Sequence, residues 1–207
     1  MGRVEAITKA LDDMFGEATI ELNHSNPLEL LIAVMLSAQS TDASVNKITP
    51  SLFNKYRSVD DYINAEAQTL ENDLKAIGLY KNKAKNIKAT ASDLKERFNG
   101  RVPSTQEDLE SLPGVGRKTA NVVLSVLYGV PRIAVDTHVE RVSKRLKLAY
   151  TKDTPLKVED KLMRKFPKER WSKLHHQMIF FGRYHCTAKR PKCHRCPLIH
   201  WCRYPHI

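Results

Sequence analysis

Residues 25–42 read SNPLELLIAVMLSAQSTD, and the pattern within them decides the fold class. Ser25 and Asn26 are capping residues, Pro27 suits a first helical position, and Glu29 places an acid in the first turn. From Leu30 to Leu36 every residue is apolar, so no face is left for solvent, and the pattern predicts a helix over 27–41 that is buried all round. A helix of that kind needs others packed about it, and the flanking sequence supplies them. After Asp42, a second helix places Val45, Ile48, Leu52 and Phe53 on one face. Over 81–98, Ala84, Ile87, Ala91 and Leu94 point inward before Asn99-Gly100 stops the helix, with Gly78 and Leu79 in the turn ahead of it. Helices over about 106–112 and 117–128 follow, the second ended by Gly129 and Pro131. A short extended run, RIAVD (132–136), leads into a helix from about Thr137, where Thr137 and Glu140 have capping-box spacing. Strand signals are almost absent, so the chain reads as all-α.

Length and composition fit a folded globular protein. The 207 residues suffice for one large domain or two small ones, and 42% hydrophobic with 28% charged residues is ordinary for a buried core under a polar surface. No apolar run approaches the roughly 18 residues that cross a bilayer, and the N-terminal MGRVEAITKALDDMF contains acids unlike a signal peptide, so a cytoplasmic protein is expected. The formal charge of +11 is unevenly placed: the last acidic residue is Glu169, and residues 170–207 carry eight Lys/Arg and six His with no acid. Such a segment fits a polyanion. Nucleic acid fits better than a membrane surface, because the segment has no long apolar face to insert.

All four cysteines fall in HCTAKRPKCHRCPLIHWC (185–202) as C-x6-C-x2-C-x5-C: Cys186, Cys193, Cys196 and Cys202. A disulfide staple is out of place in a chain of this size with no secretory signal. Four thiolates closing a short loop suit either an iron–sulfur cluster or zinc, and spacing favours the cluster because zinc sites more often pair two C-x2-C knuckles. His185, His194 and His200 are expected at the surface or behind the ligands.

A second motif, LPGVGRKTA (112–120), lies between two short helices. Gly114 and Gly116, flanking Val115, permit a tight turn that offers N–H groups at a helix start, an anion site suited to gripping a DNA phosphate without reading sequence. The plainer reading is an ordinary glycine-containing connection. Lys118 falls in the first turn of the next helix, where the macrodipole disfavours an ammonium and favours a nucleophilic free amine. A solvated or phosphate-binding lysine is the simpler alternative. Asp136 follows the apolar IAV, which should carry the chain through the interior and deliver a carboxylate beside a helix start. An N-cap is the commoner use of such a residue.

These motifs, in this order, with LLIAVMLSAQSTDASVNK near the start, IGLYKNKA at 77–84 and VDTHVERVS at 135–143, resemble endonuclease III, the DNA glycosylase/lyase family of the helix-hairpin-helix superfamily. The resemblance covers nearly the whole chain. It implies a two-domain, all-α helix-hairpin-helix glycosylase fold: a six-helix domain over 20–130 carrying the hairpin at about 106–128, and a cluster domain of 1–19 with 131–207. It implies one 4Fe-4S cluster on the four cysteines, Lys118 as nucleophile and Asp136 as catalytic carboxylate at a cleft between the domains. Gln39 and Leu79 would enter the duplex, with Gly114, Val115, Gly116, His138, Lys189, Arg190 and Lys192 as further DNA contacts. The implied partner is duplex DNA with oxidised or ring-saturated pyrimidines or abasic sites, bound by a monomer. No terminal lesion-recognition domain is expected. An adenine glycosylase of the same superfamily replaces the hairpin lysine and puts a glutamate in the buried helix, whereas Lys118 and Ala33 stand here. A non-catalytic DNA-binding or electron-transfer protein would not need GRK together with VDTH.

Overall fold

The predicted central helix forms, with the other helices packed into two units. A computed structural model describes residues 2–204, so the last three residues of the basic segment lie outside the described residues. The N-terminal helix is α1 (Arg3–Phe15), and the helix read from 25–42 is α2 (Pro27–Ser37). Asn26 Oδ1 accepts the Glu29 N–H at 3.0 Å, and every residue from Leu30 to Leu36 is buried. The helix ends four residues before the expected 41. Ala38 turns to ψ 117°, Gln39 takes φ +54°, and the Ser40 N–H bonds Ser37 O at 3.1 Å, which makes 37–40 a type II turn.

The chain divides into two compact units, one of which is Glu21–Tyr128. Within it, α2 packs against α3 (Asp42–Lys55), α6 (Tyr80–Phe98) and α8 (Arg117–Tyr128), with α4 (Val59–Asn64), α5 (Ala67–Leu74) and α7 (Gln106–Glu110) completing it. These are seven helical segments where six were expected. Ala65, with ψ 131°, separates α4 from α5, and Lys88 Nζ from α6 caps the break by donating to the carbonyls of Tyr62, Ile63 and Ala65. Ala84, Ile87, Ala91 and Leu94 are buried along α6 as their spacing requires.

The other unit is Met1–Ile20 with Gly129–Ile207, built on α1, α9 (Thr137–Arg145), α10 (Pro155–Lys165) and α11 (Trp171–Phe180). Ile133, Ala134 and Val135 run through its core as expected of IAV, without a strand partner among the described residues. Phe15 of α1 meets Phe180 and Phe181 edge-on at 6.1 and 6.4 Å, and Asp12 takes a bidentate grip from Arg170 at 2.9 and 3.0 Å. The N-terminal helix is thus tied to the C-terminal part of the chain. No described helix is long and apolar enough to cross a membrane.

Candidate active site and metal centre

The hairpin between α7 and α8 is held by two constraints on one glycine. Gly114 has φ +78°, and a Cβ there would stand 2.6 Å from Asn86 Nδ2 of α6, so both backbone and space exclude a side chain. Thr90, fully buried on α6, pins the turn by donating to Pro113 O at 2.8 Å. Gly116 differs: a Cβ there would meet nothing within 4 Å, so its exposed backbone borders open space that the fold does not fill. Val115 turns inward, 5% exposed, and its N–H is spent on Leu112 O at 3.1 Å. Val115 thus shapes the turn and does not offer its N–H outward. Lys118 stands exposed at the second position of α8.

Elsewhere in the same unit, Gln39 and Leu79 share an unusual backbone. Leu79, the N-cap residue of α6, sits at φ 58°, ψ 28° with 53% of its surface exposed, and Gln39 is exposed at φ +54°. A Cβ on Gly78 would lie 3.8 Å from Gln39 O, so the two turns adjoin.

Asp136, in the other unit, caps α9. Its Oδ1 accepts the N–H groups of His138 at 2.9 Å and Val139 at 2.8 Å, so Asp136 takes the capping place expected of Thr137, one residue earlier than the Thr137/Glu140 spacing suggested. Both cap bonds fall on Oδ1, which leaves the Oδ2 side of the carboxylate uncommitted to the cap. His138 is half-buried, and burial pushes its imidazole below its ordinary range. Arg141 Nη2 stands 3.2 Å from His138 Nδ1, and since a guanidinium only donates, that nitrogen accepts.

Sequence reasoning missed the arginines that shape the cysteine loop. From α9, Arg145 donates through Nη1 to Cys186 Sγ at 3.3 Å and Thr187 O at 2.8 Å, and through Nη2 to Ala188 O at 3.0 Å; Tyr204 covers its guanidinium at 3.8 Å. Arg141, one turn earlier, donates to Gly182 O at 2.7 Å and to Cys186 O. The signal in the sequence was an i,i+4 arginine pair on a helix face that also carries Val142. Between α11 and Cys186 the chain makes a π-helical turn, Phe181–His185, closed by the Cys186 N–H on Phe181 O at 2.6 Å. Gly182 lets it pass α9, because a Cβ there would lie 2.8 Å from His138 Cβ. His185, expected at the surface or behind the ligands, is buried and stacked on Phe181 at 5.1 Å, whereas His194 and His200 are exposed.

None of the four cysteines is disulfide-bonded, and all four line one small cavity. Among the described residues no three His, Cys, Asp or Glu side chains are drawn together tightly enough for a single metal ion. Four cysteines lining one cavity are the donor set that an iron–sulfur cluster takes. N–H donors already face the sulfurs: Arg145 on Cys186 and the Tyr204 backbone on Cys202 at 3.3 Å. Burial pushes the Cys186 thiol up on balance, and the Arg145 contact opposes it only in part. Lys189 and Arg190 project into solvent from the same loop, with Lys192 half-buried.

A family model for the HhH-GPD superfamily of base excision DNA repair proteins matches residues 32–168, and one for the iron–sulfur binding domain of endonuclease III matches residues 186–202. Endonuclease III of Bacillus subtilis (strain 168) is 56% identical over 201 residues, 97% of this chain and 92% of that protein. Among solved structures, a trapped endonuclease III–DNA covalent intermediate, an estranged-adenine complex, superposes with a TM-score of 0.93 at 57% identity, covering 98% of this chain and 97% of that one. A non-covalent endonuclease III–DNA complex superposes with a TM-score of 0.94 at 55% identity, covering 98% and 96%.

Proposed function

The chain belongs to the HhH-GPD superfamily and, within it, to the endonuclease III base excision repair DNA glycosylases carrying a 4Fe-4S cluster, and from this premise we propose that it removes oxidised and ring-saturated pyrimidines from duplex DNA. It then nicks the strand 3′ to the abasic site by β-elimination. The observation that carries this reading is the presentation of Lys118: an exposed amine one residue into α8, directly behind a glycine turn whose open side admits a phosphate.

Extrusion of the damaged nucleotide comes first and costs least where damage has weakened stacking. Lys118 Nζ, as free amine, bonds to sugar C1′; the glycosidic bond breaks and its electron pair leaves with the base, which takes up a proton. Asp136, through the oxygen that does not cap α9, stabilises the positive charge developing on the sugar. Opening of the ring at O4′ leaves a Schiff base between Nζ and C1′. Loss of a C2′ proton then expels the 3′-phosphate with the C3′–O electron pair, and water hydrolyses the imine to free Lys118. Gly114 and Gly116 seat a backbone phosphate, Gln39 and Leu79 enter the stack, and His138, Lys189, Arg190 and Lys192 follow the backbone. Cys186, Cys193, Cys196 and Cys202 hold the cluster, which when bound clamps the loop in a fixed shape.

Borohydride reduction during turnover of an abasic duplex tests the central assignment. A covalent protein–DNA adduct is expected from the wild type and none from Lys118→Ala. An adduct of undiminished yield in the variant would remove Lys118 from the role.

A further inference from the structure

Lys83 is 7% exposed, and its Nζ donates to Ser40 Oγ at 2.7 Å. A buried ammonium facing a neutral hydroxyl is an expensive choice where a methionine of similar length would pack, so the charge calls for a reason. Its two ends supply one. Lys83 lies in the first turn of α6, where its own N–H bonds Leu79 O at 3.0 Å. Ser40 closes the type II turn that carries Gln39 and immediately precedes Thr41, the N-cap of α3. One side chain therefore spans from the backbone beneath Leu79 to the residue beside Gln39. Neither turn holds itself by residue type: the third place of a type II turn and a left-handed N-cap both favour glycine or asparagine, and glutamine and leucine stand there instead.

We propose that Lys83 is a positioning residue that joins the Gln39 and Leu79 turns into a single rigid wedge by tying Ser40 to the start of α6. The inference rests on the reading of Gln39 and Leu79 as the residues that enter the duplex. Burial lowers the tendency of Lys83 to hold its proton, so the tie is maintained against a desolvation cost, as a tether is and an ordinary solvated lysine is not.

The test compares Lys83→Met, Ser40→Ala, the double variant and Ser40→Thr, which keeps the hydroxyl, all as iron-replete protein of unchanged helical circular dichroism. The spectroscopic probe is 2-aminopurine beside a tetrahydrofuran abasic analogue in a duplex, whose fluorescence rises as the stack opens. Lys83→Met and Ser40→Ala should each lose most of that rise and slow single-turnover nicking of an abasic duplex by about 10- to 100-fold, the scale of small misplacements of reacting groups. Affinity for undamaged duplex should stay within about twofold, since phosphate contacts supply it. The double variant should be no worse than the worse single, and Ser40→Thr should restore both signals. Wild-type fluorescence and nicking in a folded Lys83→Met, or losses that multiply in the double variant, would overturn the tether. A wild-type protein that does not nick the abasic duplex overturns the parent reading and the tether together, whereas an active wild type beside unimpaired variants overturns the tether alone.

Discussion

A leucine at φ 58°, ψ 28° with 53% of its surface exposed gives the fold less than its size would allow, and its side chain makes no cap for α6. The left-handed region costs a residue with a Cβ roughly 1–2 kcal/mol, a cost glycine escapes. Asn99 also has positive φ, but it follows the last turn of α6 in a place where such residues terminate helices. Leu79 has no such excuse, and strain of this sort gathers where function over-determines the backbone. Leu79→Gly is therefore expected to keep or raise stability, by up to about 1 kcal/mol in urea unfolding, while opening of a damaged duplex is lost. A destabilised Leu79→Gly would mean that the leucine packs within the fold after all. The residue was legible in the sequence as a turn position after glycine. Its strain was not, because positive φ on a leucine follows from the contacts of the turn and has no signature in residue type.

At the scale of elements, what was legible was what is local. The start of α2, both ends of α8 and the stop of α6 were set by caps, proline and glycine and fall within a residue or two of expectation. The end of α2 was misplaced because its turn has glutamine where glycine would have signalled it, and the π-helical turn before Cys186 was invisible because its closing bond answers to packing on α9. The docking of α1 on α11 was likewise out of reach, since periodicity says which face is apolar and not what covers it. That pair predicts an acid sensitivity. Burial holds the α11 imidazole of His176 at about 4, below its ordinary 6.5. Between those values the unfolded chain binds the proton and the folded one does not, so stability must fall as pH drops from about 6.5 to about 4, by roughly 2–3 kcal/mol. Asp12 on α1, held well below the carboxylate range first by its hydrogen bond to Arg170, extends the loss to pH below 4. Urea unfolding of His176→Phe should show a flatter dependence over the upper window, and Asp12→Asn over the lower one only. Parallel profiles for His176→Phe and wild type would show that His176 is not kept neutral by the fold.

Across the whole molecule the charge divides as unevenly as the chain. Residues 21–128 hold 13 Lys/Arg against 13 Asp/Glu, whereas residues 1–20 with 129–207 hold 21 against 10, so the unit with the cysteine loop carries the entire excess of +11. The unit presenting the hairpin and Lys118 is formally neutral. Long-range attraction to a polyanion thus belongs to one unit, and the glycine turn and its lysine to the other. This separation gives each a distinct experimental signature. Phosphate neutralisation releases counterions and sets the salt dependence of binding, about 0.9 in log–log slope per contact. Changing Lys189, Arg190 and Lys192 together to Gln is expected to reduce that slope by roughly 2–3 for undamaged duplex, with the single-turnover rate on saturating abasic DNA little altered. The same loss of charge at exposed Lys157, Lys165 and Lys168, outside the cysteine loop, lowers net charge equally and should leave the slope nearly unchanged. Equal reductions from both triples would assign the salt dependence to net charge alone, and the loop lysines and arginine would then be ordinary solvated charges. A reduced slope from the loop triple alone would assign the phosphate contacts to the cysteine loop, whose start the Arg141 and Arg145 hydrogen bonds hold in shape where no long helix does, so that its basic side chains stand in register with the phosphates.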